Sequence, residues 1–297
     1  MPLLVTSAFG VNGDGYGALL AFDRNGTPRG AFCNDPRIAD PRGLAVHEHA
    51  GLLYLNSGQD RVLAVGADGT VVRDTGPIEG LNPGGGNFGP DGRYYVGLRS
   101  ARTVMAFEPS LDAAGEHFLP TAVVPFPRGF AFSHDGRLIL ASGTGPDGVG
   151  DNALVAFDLN ERKQPIRLVS DPELSPLDLA IAPNGNIVVS SEHPFGSPDA
   201  ITTVREYVST DGHLVRVFSA NRSAKFRKPR GLRFGPDDKL YCVAQDEVVA
   251  FDFISGECLG SAVQFPRLYG QAIEFFPRKS QQQSGQMSPL IPYRNNR

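Results

Sequence analysis

Three arginines stand in one local setting: Pro41-Arg42-Gly43, Pro127-Arg128-Gly129 and Pro229-Arg230-Gly231. A guanidinium stays charged at any working pH and presents five donors in a planar fork, a shape that grips carboxylate, phosphate or sulfate. Forks brought together would repel one another unless an anion or neighbouring carboxylates balanced them. Acids are at hand: Asp178 follows Pro176-Leu177 in a variant of the same word, and Glu192 and Asp246 lie in neighbouring loops. Arg42, Arg128 and Arg230, with Arg99, Asn56, Gln245, Asp246 and Gln271, are therefore the candidate ligand-binding residues. Asp178, Glu192 and His193 are the candidate catalytic residues, because carboxylate and imidazole groups relay protons in hydrolysis and elimination. The competing reading has each arginine tied to a local acid or carbonyl, and Glu192-His193 as a solvated pair in a Pro/Gly loop.

These residues are placed by a repeat. The pattern Pro-x-Gly-apolar-x-apolar opens at Pro41 (PRGLAV), Pro83 (PGGGNF), Pro127 (PRGFAF) and Pro229 (PRGLRF), with PLDLAI at Pro176, where Asp178 replaces the glycine. Copies then reach a tight turn, as at Pro90-Asp91-Gly92, His134-Asp135-Gly136 and Pro183-Asn184-Gly185. Asx-Gly between alternating apolar runs signals a hairpin. A second strand follows (LLYLN, YYVGL, LILAS, IVVSS, LYCVA), and a third repeats almost one word: ALLAFD at 18–23, TVMAFE at 103–108, ALVAFD at 153–158 and EVVAFD at 247–252. Further Asx-Gly turns lead to a fourth strand. Four antiparallel strands per unit, with units opening 42 to 53 residues apart, have the size of a propeller blade.

Five units open at 41, 83, 127, 176 and 229, while the N-terminal stretch offers only strands two to four (3–8, 18–23, 27–32) and 270–275 offers an unpartnered first strand. Joined, they make a sixth blade. The expected fold is an all-β, six-bladed β-propeller over residues 1–278, its last blade (268–278 plus 1–40) closed by the N- and C-terminal strands. Residues 279–297 are polar and off-pattern and read as a flexible C-terminal tail.

Composition agrees. With 35 Gly and 24 Pro in 297 residues, turns interrupt nearly every stretch long enough for a helix, yet 41% of residues are hydrophobic, enough for a packed core. Trp is absent, which removes the Trp-Asp signature of WD40 blades. A net charge of −4 gives no global basic field, so DNA is not expected as a partner. Cys33, Cys242 and Cys258 are odd in number and widely spaced, the pattern of reduced buried thiols. The N-terminus lacks a basic leader segment and no run approaches 18 apolar residues, so the expectation is a cytoplasmic protein with no membrane partner.

In a propeller each first strand lines a central channel, and the residue after its opening proline reaches the channel mouth. Around the ring that residue reads Arg42, Gly84, Arg128, Leu177, Arg230 and Tyr269. The three largest inserted loops, 143–152, 192–200 and 219–228, fall on the same face in adjacent blades, and inserted loops often mark the binding face. Weaker signals are His47-Glu48-His49 on a turn at the opposite face and Asp147, Asp151 and Asn152 in a Gly-rich loop; either could hold a cation, though neither has a standard spacing. Residues 222–230 (RSAKFRKPR) carry five cations, the makings of a basic patch for RNA.

Pro-Arg-Gly-Leu-Ala-Val (41–46) followed by Leu-Tyr-Leu-Asn-Ser-Gly-Gln-Asp-Arg-Val (53–62) resembles an NHL repeat. More broadly, residues 1–278 resemble the six-bladed group that holds NHL proteins, gluconolactonase-type hydrolases, strictosidine-synthase-like proteins and streptogramin lyases. The resemblance implies the fold directly and the activity only by site. Gluconolactonase-type proteins draw metal ligands (an acid, an Asn and an Asp) from the opening positions, where this chain has mainly Arg, Gly and Leu and supplies only Asp178, one place later. Streptogramin lyases pair an opening His with a Glu ending strand two; Glu192 after IVVSS, with His193 next, matches the second half alone. The expected function is a small anionic molecule bound in an arginine-rimmed pocket, with hydrolase or lyase activity centred on Asp178, Glu192 and His193. The alternatives are an NHL-type scaffold for a protein or RNA partner and a metal-dependent lactonase. No motif requires a cofactor; a divalent cation belongs to the lactonase alternative.

Overall fold

The computed structural model describes residues 2–9, 17–58, 60–145, 148, 150, 152–160, 164–218 and 226–276. The expected C-terminal tail, Asp147, Asp151 and residues 219–225, which begin the inserted loop 219–228 and the basic segment 222–230, lie outside the described residues. Within them every regular element is a strand, and the strands form six four-stranded antiparallel sheets.

Blade I holds β4 (Gly43–His47), β5 (Leu52–Ser57), β6 (Arg61–Val65) and β7 (Val71–Asp74). Blade II holds β8 (Pro83–Phe88), β9 (Tyr94–Leu98), β10 (Thr103–Phe107) and the two-residue β11 (Glu116–His117). Blade III runs β12 (Pro127–Phe132), β13 (Arg137–Ser142), β14 (Ala153–Asp158) and β15 (Ile166–Val169). Blade IV runs β16 (Pro176–Ile181), β17 (Ile187–His193), β18 (Ile201–Tyr207) and β19 (Leu214–Phe218). Blade V has β20 (Leu232–Phe234), β21 (Leu240–Val243), β22 (Glu247–Phe251) and β23 (Cys258–Gln264). Blade VI joins β24 (Ile273–Phe275) to β1 (Leu3–Ser7), β2 (Ala18–Phe22) and β3 (Pro28–Cys33).

The closure pairs Leu3 with Phe275, Leu4 with Glu274 and Val5 with Ile273. Closing the ring in this way covers the edge of β1, which would otherwise stand open in a three-stranded blade. Thr6 locks the seam: its hydroxyl accepts the Gln271 and Ala272 amides at 3.1 and 2.9 Å.

Alternation within the strands sends apolar residues to both faces of each sheet, so the core lies between blades rather than in one central mass. Six apolar clusters result, one at each junction of neighbouring blades. Leu4, Leu19, Leu44, Leu55 and Leu63 join blade VI to blade I. Phe218, Leu232, Cys242 and Phe251 join blade IV to blade V. Each such fully buried Leu or Phe contributes about 1.5–3 kcal/mol relative to exposure. Cys33, Cys242 and Cys258 are all buried and free. The Asx-Gly turns form as expected, with Gly92, Gly136 and Gly185 at φ of 81°, 80° and 84°, where a side chain would be strained.

Glycine at the channel has a separate purpose. A Cβ on Gly85 would stand 2.9 Å from the Gly129 Cα, so blades II and III meet backbone to backbone there. Among the described residues no helix is long and apolar enough to cross a membrane.

Candidate functional site

The Pro-x-Gly word is a bulge. In β8, β12 and β16 the pairing register slips between Pro83 and Gly86, Pro127 and Phe130, and Pro176 and Leu179. A bulge leaves the extra residues unpaired and re-aims their side chains, here toward the channel mouth. Arg42 and Arg230 stand just before their strands, held through backbone bonds from their amides to the Asn56 carbonyl at 3.0 Å and the Val243 carbonyl at 2.7 Å.

Together these segments enclose a cavity of about 270 Å³ at the mouth of the channel. Arg42, Arg99, Arg128, Arg230 and Phe195 form its wall, and Asp178 and Arg233 stand deeper. Gln271 lines it as well, while Tyr269, the expected opening residue of blade VI, packs instead on Phe9 with ring centroids 4.6 Å apart. The reason is register. Ile273 of β24 takes the place that Leu232 takes in β20, which makes Gln271 the residue equivalent to Arg230.

The five arginines differ in what balances them. Arg42 is ion-paired to Asp40 and donates to Asn82 Oδ1 at 3.0 Å. Arg230 donates to Glu192 Oε2 at 2.8 Å and to its neighbour Pro229's carbonyl at 2.8 Å. Arg233 donates to Glu274 Oε2 at 3.0 Å and to the Leu232 and Leu44 carbonyls at 2.7 and 3.1 Å, with Asp178 Oδ2 3.7 Å away. Arg99 has the Pro83 carbonyl at 3.1 Å, and Arg128 only a long contact of 3.5 Å to the Thr144 carbonyl. The Nε–H groups of Arg99 and Arg128 are buried without a partner.

Three of these cations lie against aromatic rings. Arg99 lies 5.8 Å and Arg128 5.4 Å from the Phe126 ring centre, and Arg128 lies 4.0 Å and Arg230 5.6 Å from that of Phe195. The result is a ladder, Arg99–Phe126–Arg128–Phe195–Arg230, in which the electron-rich ring faces partly offset the repulsion between cations. The offset is incomplete: burial, and then Arg230, push the Arg128 guanidinium down to about 10.

Below the ladder lies a buried charge cluster. Asp178 Oδ2 accepts the Leu232 amide at 3.0 Å, and burial holds the Asp178 carboxyl above the usual carboxylate range despite Arg233. Burial does the same to Glu274. The two acids share one guanidinium. Asp178 fits only because its neighbour is glycine, since a Cβ on Gly129 would stand 2.0 Å from Asp178 Oδ1.

The other expected residues lie elsewhere. His193 Nδ1 meets the Ser175 hydroxyl at 3.0 Å, and neither His193 nor Glu192 is among the cavity-lining residues. Asn56 is fully buried, giving Nδ2 to the Gly84 carbonyl at 3.0 Å and accepting the Tyr94 hydroxyl at 2.9 Å, which ties blade I to blade II. Gln245 uses its carbonyl for the Tyr269 amide at 2.7 Å, and Asp246 Oδ1 accepts the Arg267 amide at 2.9 Å. Asn152 donates to Ser175 Oγ at 3.1 Å. His47 packs edge-on to Phe88, with ring centroids 4.9 Å apart, and its Nδ1 accepts the Ala50 amide at 3.1 Å.

Sequence reading passed over Phe126, Phe195 and Arg233. Arg233 had a signal: the polar position of the repeat word reads Ala45, Asn87, Ala131, Ala180, Arg233 and Glu274, so one blade brings the cation and the next its acid. Phe195 lay in the inserted loop 192–200 without distinguishing itself there.

No family model matches the chain, and no curated protein matches it in sequence. Solved structures do match. A chain of a nidogen/laminin complex is 13% identical, with TM-score 0.70 over 92% of this chain and 97% of its own. Streptogramin B lyase is 12% identical, with TM-score 0.60 over 81% of this chain and 74% of its own. A gluconolactonase from Xanthomonas campestris is 16% identical, with TM-score 0.60 over 92% and 87%. At these identities the likeness establishes the class, a six-bladed β-propeller, and the site must supply the rest.

The site's donors do not suit the metal of the lactonase alternative. Among the described residues no three His, Cys, Asp or Glu side chains are grouped to hold an ion. Of the two acids on the cavity, Asp40 is paired with Arg42 and Asp178 already serves the Leu232 amide and faces Arg233, so a cation there would meet a wall of guanidinium groups.

Proposed function

We propose that the channel mouth is the binding site of a small anionic molecule. The observation that carries this reading is the Arg99–Phe126–Arg128–Phe195–Arg230 ladder, a row of three cations on one cavity, two of which, Arg99 and Arg128, have no carboxylate within ion-pair distance among the described residues. A charge desolvated without a partner is costly, and sites of that kind are kept for what they bind. Asp178 is the acid placed to exchange a proton with a bound molecule: it lines the cavity, and its raised carboxyl suits a proton donor. Glu192 acts through Arg230, holding that fork in place. Hydrolysis or elimination on the bound anion is the chemistry these groups support, in keeping with the lyase and gluconolactonase neighbours.

Calorimetry against a panel of organic acids and phosphate esters tests the reading. Binding of at least one compound, lost in Arg128→Ala, is the expected result. Unchanged binding in Arg128→Ala overturns it, as does binding of RNA alone with steep salt dependence.

A further inference from the structure

The charge arrangement around the cavity goes further and counts the ligand's charges. Arg42 is matched by Asp40, Arg230 by Glu192, and Arg233 by Glu274, with Asp178 the proton-bearing acid of the reading above. Among the described residues Arg99 and Arg128 have no such match. Their charges lie 5.8 and 5.4 Å from the centre of one ring, that of Phe126, and each keeps a buried Nε–H unused. A monoanion could satisfy one fork and leave the other desolvated. A doubly charged group satisfies both.

We propose that the pocket is built for a dianion, a phosphomonoester or a dicarboxylate, held between the Arg99 and Arg128 forks with its uncharged body against Phe195. This rests on the anion-binding reading above and adds the ligand's charge and the two residues that count it. Phe195 is the apolar face left for the body: the residue is 49% exposed although Arg128 stands over its ring at 4.0 Å. Paired forks around one anionic group are the arrangement through which arginine recognises phosphate and carboxylate geometry.

Matched probes decide the question. Phenyl phosphate is compared with methyl phenyl phosphate, and phthalate with monomethyl phthalate, so that each pair differs by one charge on the same ring. Titrated into the intact protein, one dianion is expected to bind about tenfold or more tighter than its monoester, the worth of one charge-assisted hydrogen bond. Which pair shows the preference separates phosphate from dicarboxylate. Arg99→Met and Arg128→Met are each expected to bring the dianion down to the level of its monoester, and Arg128→Lys, which keeps the charge and loses the fork, to fall between. Equal affinity for dianion and monoester overturns the two-charge inference and leaves the anion pocket standing. No binding of any of the four probes counts against the pocket reading itself. The wild-type comparison stands even where a variant fails to fold.

Discussion

Two arginines a few residues from the same channel live under opposite conditions. Arg233 is ringed by Glu274, Asp178 and two backbone carbonyls, while Arg128 has two aromatic rings and one long contact to the Thr144 carbonyl. Burial is common to both. The protein supplies counter-charge to Arg233 and raises its guanidinium further, but leaves Arg128 pushed down to about 10. A compensated buried cation belongs to the fold, whereas an uncompensated one costs stability, which on the proposed reading is the cost of an anion site.

The largest expected effect comes from breaking the compensated cluster. Arg233→Met leaves Asp178 and Glu274 buried without their cation and is expected to cost about 3–5 kcal/mol in denaturant unfolding at pH 8. The loss has a pH sign. Both carboxyls are held above their usual range, so the penalty of ionising them in the fold builds as the pH rises from the ordinary carboxylate range to their folded values, is full above these, and is relieved as the pH falls back through them. Arg233 lowers both carboxyls, so its loss raises them further, and Arg233→Met should recover part of its lost stability at pH 5, measured against wild type at the same pH.

Next in size is Gly129→Ala, whose Cβ would meet Asp178 at its carboxylate and, at 2.6 Å, at its Cα. Overpacking of this kind costs about 1–3 kcal/mol. Because it displaces Asp178, ligand affinity should fall along with the melting temperature. Asn56→Ala offers a control of similar cost, about 1–3 kcal/mol, because it strands the buried Tyr94 hydroxyl and Gly84 carbonyl. As Asn56 is fully buried behind the cavity wall, its loss should lower stability with little change in affinity for an anion measured well below the melting temperature. At the small end, Arg42→Met should alter anion affinity by at most about 1 kcal/mol, since Asp40 already holds that charge.

The fold was legible because each local signal repeats. The Pro-x-Gly words, the Asx-Gly turns and the third-strand word each return blade after blade, and the three strands before Pro41 are completed by the single strand near 273. The site was legible only in part. Arg42, Arg99, Arg128, Arg230, Asp178 and Gln271 reach the cavity because the repeat itself aims them there. What separates Arg128 from Arg42 is not in the repeat: it depends on an acid, Asp40, just before one proline and an aromatic, Phe126, just before the other, and on loop 192–200 folding Phe195 back between two cations. Gln245 and Asp246 are not among the cavity-lining residues: the Asp246 carboxylate accepts the Arg267 amide, and the Gln245 main chain bonds Arg227 and Tyr269. Such choices depend on contacts between blades, which no single repeat encodes.

The contrast between the two arginines can be tested without knowing the ligand. Arg128→Met and Arg233→Met are unfolded side by side by denaturant at pH 8 in ligand-free buffer. The account predicts opposite outcomes: Arg128→Met between unchanged and about 1 kcal/mol more stable than wild type, and Arg233→Met strongly destabilised. Equal destabilisation of the two variants would contradict it, because Arg128 would then be as much a part of the fold as Arg233.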